Sequence, residues 1–167
     1  KLNDRNSLPI IIELFNDGDA VVVEKAVFAA SKLASARDKI LYDTLLRPEA
    51  SLRVGIVRTF NKLRDPSVLG TLLPYFYDPD VKVQNAVKFA FVDFGKEALP
   101  YLLNVLNNPS PQTQLSVLGL LEALKNPESI TPIINLFNNE NARVKAGAIN
   151  TVSTFREAAV NQLGDAL

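Results

Sequence analysis

The chain of 167 residues contains no cysteine, histidine, methionine or tryptophan. The absence of cysteine excludes disulfides and leaves the redox compartment open. Without cysteine and histidine, an ordinary zinc site and histidine-based catalysis are also excluded. The seven glycines are scattered and form no phosphate-binding loop. These absences predict that the chain is not an enzyme and holds no metal or cofactor.

An excess of charge of one sign is missing too, because eighteen basic residues balance eighteen acidic ones. No global field therefore attracts nucleic acid or a membrane surface. No apolar run approaches the ~20 residues of a membrane span. We expect a cytoplasmic location, with a processed or exported segment as the alternative. The lack of methionine predicts a fragment of a longer chain.

What the sequence does contain is a repeat of about 30 residues, present five times. The steps from Asp17 to Arg47, Asp78, Asn108 and Asn139 are 30, 31, 30 and 31 residues. A unit of this size cannot bury its apolar face alone, so the period predicts stacked repeats. The polar breaks that mark the period are Asp17-Gly18-Asp19, Arg47-Pro48-Glu49, Asp78-Pro79-Asp80, Asn108-Pro109-Ser110 and Asn139-Glu140-Asn141.

Each repeat is predicted to hold two amphipathic helices. In the third, Asp65-Pro66 starts the first helix and the second runs from Asp80 to Phe94, because Asp or Asn before Pro is a good helix start. The same device recurs at Asn108-Pro109 and Asn126-Pro127. We predict a single domain, 1–167, with repeats at about 7–37, 38–64, 65–95, 96–126 and 127–156 and a partial sixth, one helix, at 157–167.

Apolar residues recur at helical spacing along the second helix of the third repeat and predict one buried stripe. Its members are Val83, Ala86, Val87, Ala90 and Phe94. Aligned breaks give this stripe an equivalent site in each repeat, at Val23, Val54, Val83, Thr113 and Val144. The small residues three positions later are expected to let neighbouring helices approach closely.

The segments Asp-Pro-Asp-Val-Lys-Val-Gln-Asn-Ala-Val at 78–87 and Asn-Ala-Arg-Val-Lys-Ala-Gly-Ala at 141–148 resemble the HEAT repeat. More narrowly, they resemble the short HEAT-like type that includes the phycobilisome-lyase repeats. The resemblance covers residues 7–155 and implies an all-α fold, a right-handed α-α superhelix of about five helical hairpins plus a terminal helix. It also implies a scaffold whose second helices line a concave binding face.

Paired carboxylates occur in two of the breaks, as Asp17 with Asp19 and Asp78 with Asp80. They have two interpretations, a hard-cation or acid–base site and a pair of helix caps. Because no third ligand follows at loop spacing, the capping interpretation is favoured.

Basic residues are concentrated between Arg37 and Arg64, where seven stand against three acidic ones. Arg58 and Lys62 share one helix face. Lys88 lies one layer further on, and Arg53, Lys82, Gln112 and Arg143 are interpreted as a ladder between repeats. These charges are either an anion-facing groove for an acidic peptide or phosphate-bearing polymer, or an ordinary solvated face.

Aromatic residues give a second candidate, because Phe89 and Val92 lie off the apolar stripe, on a strip with Asn85. They are either an anchor pocket for a partner helix or a packing contact with the next helix. The candidate partner-binding residues are therefore Arg53, Arg58, Lys62, Lys82, Asn85, Lys88, Phe89 and Val92.

The predicted function is a protein-interaction scaffold that binds a partner protein or peptide, one that is acidic if the basic strip is functional. Self-association through the exposed terminal repeat is a further option. Two alternatives stay open, a nucleic-acid-associated HEAT-like module and a bilin-lyase-like enzyme or enzyme subunit, the latter by fold analogy alone.

Overall fold

The computed structural model describes residues 5–164, with side chains described for residues 6–155. Every regular element in this range is helical, which confirms the all-α prediction. The α-helices are α1 (Leu8–Glu13), α2 (Ala20–Leu33), α3 (Lys39–Leu45), α4 (Ala50–Leu63), α5 (Leu69–Leu72), α6 (Val81–Phe94), α7 (Leu99–Leu106), α8 (Pro111–Leu124), α9 (Ile130–Ile134) and α10 (Ala142–Gly164).

The helices alternate between a short first helix and a long second helix, as the repeat predicts. Turns of 3₁₀-helix extend most of the first helices, for example Pro66–Val68 before α5 and Leu73–Tyr77 after it. Proline explains part of this, because Pro74 has no N–H and removes a bond from the α-helical ladder. The second helices α2, α4, α6 and α8 each span 14 residues.

The residues immediately before the second helices reproduce the period of the sequence. They are Asp19, Glu49, Asp80, Ser110 and Asn141, again 30, 31, 30 and 31 residues apart. Counting from them corrects the predicted alignment in the first two repeats. The equivalents of Val83 are Val22 and Leu52, rather than Val23 and Val54, because Val83 lies three residues after Asp80, and the same count from Asp19 and Glu49 gives these residues.

The chain divides into two compact units. Unit 1 ends at Phe94, and within it α4 packs between α2 and α6. Unit 2 begins at Gly95, and within it α8 packs against α7 and α10. The single repeat domain therefore stays a prediction.

The middle position of α4 explains why this helix is buried on most of its surface. Leu52, Ile56, Val57 and Phe60 are fully buried. In α6 the predicted stripe is confirmed at Val83, Val87, Ala90 and Phe94, which are buried, whereas Ala86 is only half-buried.

Two helix boundaries differ from the sequence predictions. Helix α8 begins at Pro111 with Ser110 as its N-cap, because the Asn108 side chain accepts the Ser110 N–H instead of capping the helix. Helix α10 runs unbroken to Gly164, so no break separates the fifth repeat from the start of the predicted sixth. The rest of that sixth repeat, residues 165–167, lies outside the described residues.

Candidate functional site

One face of every second helix stays open to solvent at the same four positions. These positions lie 2, 5, 9 and 13 residues after the residue that precedes the helix, a spacing that places them on one helical face. We call this face the second-helix strip. Its members, all exposed or half-buried, are Val21, Glu24, Phe28 and Lys32; Ser51, Val54, Arg58 and Lys62; Lys82, Asn85, Phe89 and Asp93; Gln112, Leu115, Gly119 and Ala123; and Arg143, Ala146, Asn150 and Thr154.

Most of the predicted site residues lie on this strip or beside it. Five belong to it, namely Arg58, Lys62, Lys82, Asn85 and Phe89. Lys88 and Val92 lie next to it on α6 and are half-buried. Arg53 is the exception.

A groove of about 310 Å³ runs between α4 and α6 in unit 1. Arg58, Asn61 and Lys62 form its wall on α4, and Ala86 and Phe89 form its wall on α6. Three of the predicted site residues, Arg58, Lys62 and Phe89, thus line one groove, although they come from two repeats.

The groove presents positive charge and an exposed ring. Neither Arg58 nor Lys62 makes a hydrogen bond or a short ion pair among the described residues, although the Lys62 charge also acts on the Asp93 carboxylate and helps to lower its pKa. The Phe89 side chain is 67% exposed, so the interpretation that it packs against a neighbouring helix is wrong. Phe60 of α4, by contrast, is fully buried.

Asn61 and Asp93 connect the far ends of α4 and α6. The Asn61 amide donates to Asp93 Oδ2 at 2.8 Å, and the Arg64 guanidinium lies 2.7 Å from the same oxygen. Burial raises the pKa of Asp93, but hydrogen bonds from Arg64 and Asn61 outweigh it and leave that pKa below its ordinary value. Sequence reasoning missed Asn61, whose only signal is its place three residues after Arg58.

Sequence reasoning also missed Phe28, which occupies the same strip position on α2 as Arg58 on α4 and Phe89 on α6. Its side chain is 52% exposed, and Lys32 Nζ lies 5.2 Å from the centre of the ring. Lys32 in turn matches Lys62 of α4. The polar breaks begin two residues before the helix-preceding residue in every repeat, so counting from either one places Phe28 in the row.

Arg53 does not belong to a binding surface, which corrects its prediction as a partner-binding residue. Its side chain is 9% exposed and forms a two-point ion pair with Asp78, at 2.9 Å for both Nε–Oδ2 and Nη2–Oδ1. Its remaining terminal nitrogen donates to the carbonyl oxygens of Arg47 and Pro48. The guanidinium of Arg53 makes these hydrogen bonds inside the protein, where they hold the start of α4 against the loop before α6.

The predicted ladder of Arg53, Lys82, Gln112 and Arg143 is wrong in its last three members, which are exposed on the strip. The residue that corresponds to Arg53 in the fourth repeat is Gln114. In unit 2 its side-chain Oε1 accepts from Asn139 at 3.2 Å, a separation of 25 residues that Arg53 and Asp78 share.

In each acidic pair the second carboxylate caps the following helix, as the sequence analysis favoured, and the first accepts the N–H of that capping residue. Asp17 accepts the Asp19 N–H at 2.8 Å and Asp19 accepts the Val21 N–H at 2.8 Å. Asp78 and Asp80 repeat this pattern toward the N–H groups of Asp80 and Lys82. Among the described residues, no group of three or more acidic side chains is placed to hold a metal ion.

A second groove, of about 360 Å³, lies on the first helix pair. It is almost entirely apolar, and it is lined by Ile11, Leu14, Val21, Val22, Lys25, Ala26 and Ala29. Lys25 stands here at the position that Gly55, Ala86, Ser116 and Gly147 occupy in the later repeats.

In the described part of the chain, no helix combines the length and apolarity that crossing a membrane requires. No protein-family model matches the sequence, and no curated protein matches it. The chain is similar to the crystal structure of an engineered protein from the Northeast Structural Genomics Consortium, at 13% identity and a TM-score of 0.43, over 91% of this chain and 80% of that one. At this level the likeness transfers no function.

Proposed function

We propose that this chain is a non-catalytic protein-interaction scaffold, a right-handed superhelix of HEAT-like helix pairs that binds a partner protein or peptide on its second-helix strip. One observation carries the proposal. The groove between α4 and α6 combines two cations that make no short ion pair among the described residues, Arg58 and Lys62, with the exposed ring of Phe89.

Aromatic residues and arginine are enriched in interface centres, where the ring supplies apolar area and the cation supplies direction. A single exposed ring is ordinary on a protein surface. Here two exposed rings, Phe28 and Phe89, occupy the same strip position on α2 and α6, with Arg58 at that position on α4. This arrangement favours a binding surface over an ordinary solvated face.

A nucleic-acid-binding module is the weaker candidate. Polyphosphate backbones are bound by dense basic surfaces. Here no second helix carries more than two cations on its described strip positions, and Glu24 and Asp93 share the face with Arg58 and Lys62.

The test is affinity capture from a lysate of the source organism, with the chain as bait. The variant bait carries Arg58→Glu and Lys62→Glu. The control bait carries Lys96→Glu and Lys145→Glu, which change the net charge equally at exposed sites of unit 2.

We expect a protein that the normal and control baits retain and the Arg58/Lys62 variant loses. Once purified, that protein should bind more weakly as salt increases, because the cations are exposed. Equal capture by all three baits would refute the assignment of the site.

A further inference from the structure

Phe28, Arg58 and Phe89 form a row across three successively packed helices of unit 1. Each lies nine residues after the residue that precedes its helix. Helices α4 and α6 run parallel, because Arg53 and Asp78 join their starting ends while Asn61 and Asp93 join their far ends. The row therefore crosses the helices with an aromatic ring, a cation and a second aromatic ring in order. Lys62 adds a second cation one turn along from Arg58.

The size of the groove limits what can enter it. A helix about 10 Å across has a cross-section of roughly 80 Å², so 310 Å³ would hold about 4 Å of its length. The groove thus accommodates individual side chains rather than a whole helix. A peptide that follows the row crosses the helices and places single side chains against them.

The distance between neighbouring helices sets the distance between the peptide side chains that contact them. Neighbouring packed helices lie about 8–10 Å apart. An extended peptide in the polyproline II conformation advances about 3.1 Å per residue with about three residues per turn, so side chains three positions apart point the same way. Each step from one helix to the next therefore corresponds to about three peptide residues.

Resting on the proposed function, we propose that this row binds an extended peptide in which an aspartate or glutamate is flanked by an apolar residue three positions away on each side. The carboxylate meets Arg58 and Lys62, and the apolar side chains lie on Phe28 and Phe89. A polyanion that continues past the row would also meet the Glu24 carboxylate, about one turn from Phe28 on α2, which a single carboxylate at Arg58 avoids.

Unit 2 offers no such row, since Gly119 and Asn150 occupy the equivalent positions. Recognition of this peptide class is therefore expected from unit 1. This difference also supplies an internal control, because Asn150→Ala changes the same strip position without touching the proposed site.

The test uses NMR titration of the whole isotope-labelled chain with three synthetic peptides. The first has the order Leu-Ser-Gly-Glu-Ser-Gly-Leu, and the second replaces Glu by Gln. In the third, the spacing of three positions between the glutamate and each leucine is shortened to one position. The peptides are capped at both ends so that the glutamate is the single charge.

We expect the first peptide to shift resonances of Phe28, Arg58 and Phe89, with binding about tenfold weaker for each of the other two. Phe28→Ala and Phe89→Ala should weaken the first peptide several-fold, and Asn150→Ala should not. Because both rings are exposed, these variants should fold normally, which circular dichroism checks.

Equal binding of all three peptides would overturn the proposed spacing and charge, as would shifts confined to other residues. If the peptides fail while the lysate partner still depends on Arg58 and Lys62, the scaffold proposal stands and the peptide class is wrong. Tighter binding of a single-stranded oligonucleotide than of the first peptide would overturn both.

Discussion

The ring of Phe15 occupies the space that a side chain on Gly55 would need. A Cβ built on Gly55 would overlap the Phe15 ring and its Cβ. The first helix pair therefore packs closely against α4 because Gly55 has no side chain. Phe15 and Gly55 are both buried.

Gly55→Ala should lower the free energy of unfolding by about 1–3 kcal/mol, because Phe15 must shift in a packed core. Chemical denaturation measures the change. The matched control is Gly119→Ala on the exposed face of α8, where a Cβ meets nothing within 4 Å. That substitution should stabilise the protein by roughly 0.5–1 kcal/mol, since alanine favours helix. Equal effects at the two glycines would contradict the packing seen at Phe15.

Breaking the buried ion pair of Arg53 and Asp78 should be strongly destabilising. Arg53→Met or Asp78→Asn alone leaves a buried group without its partner, which costs about 3–5 kcal/mol. The double variant should be less destabilised than the sum of the single ones, and a double-mutant cycle on denaturation data measures this coupling. Additive effects would show that the pair contributes no coupling energy.

Stability should fall in acid partly through Asp93, whose pKa is lowered in the folded protein. A lowered folded pKa stabilises the protein above the ordinary aspartate value of about 3.9 and loses this contribution as the pH falls through the folded value. The difference in stability between the normal chain and Asp93→Asn should therefore be larger at pH 7 than at pH 3. A difference that stays constant over this range would contradict the lowered pKa.

Two second helices end on a residue other than glycine in the left-handed conformation. Lys125 has φ 48° and Arg64 has φ 56°, whereas Gly95 has φ 67° at the equivalent place. Lys125→Gly should stabilise the protein by about 1 kcal/mol, because glycine adopts this conformation without strain. Arg64→Gly should gain less, because Arg64 also bonds the carbonyl oxygen and carboxylate of Asp93. Thermal unfolding of both variants makes the comparison.

Removal of residues 127–167 tests the repeat architecture. If each helix pair is stabilised mainly by its neighbours, the shortened chain should still unfold cooperatively, but at a lower denaturant concentration. Its exposed face would include the site where Leu115 and Leu118 approach Gly147. Complete loss of folded structure would contradict nearest-neighbour stacking.

The parts of the fold that depend on local chemistry could be predicted from the sequence. The carboxylates of Asp17, Asp19, Asp78 and Asp80 bond backbone groups two residues away, and the helix pairs follow from apolar periodicity. The convergence of Arg58 and Lys62 on one face follows equally from helical spacing.

What the sequence did not predict depends on partners far along the chain. Arg53 looks like a surface cation until Asp78, 25 residues later, pairs with it. Phe89 looks like a packing residue because helical periodicity alone does not say which side of α6 remains uncovered. Phe28 was missed because the predicted alignment places the first repeat one residue out of register, at Val23 instead of Val22.

Two of the short loops before second helices are held to the preceding second helix, by Asp78 to Arg53 in unit 1 and by Asn139 to Gln114 in unit 2. The connections that follow the second helices of unit 1 vary in length, from residues 34–38 after α2 to residues 64 and 65 after α4. In unit 1, the loop before α6 therefore has a fixed length, whereas the connections after the second helices tolerate change. Insertion of a foreign loop or a reporter peptide at residues 34–38 should leave the protein folded. A single extra residue beside Asp78 should instead detach α6 from α4.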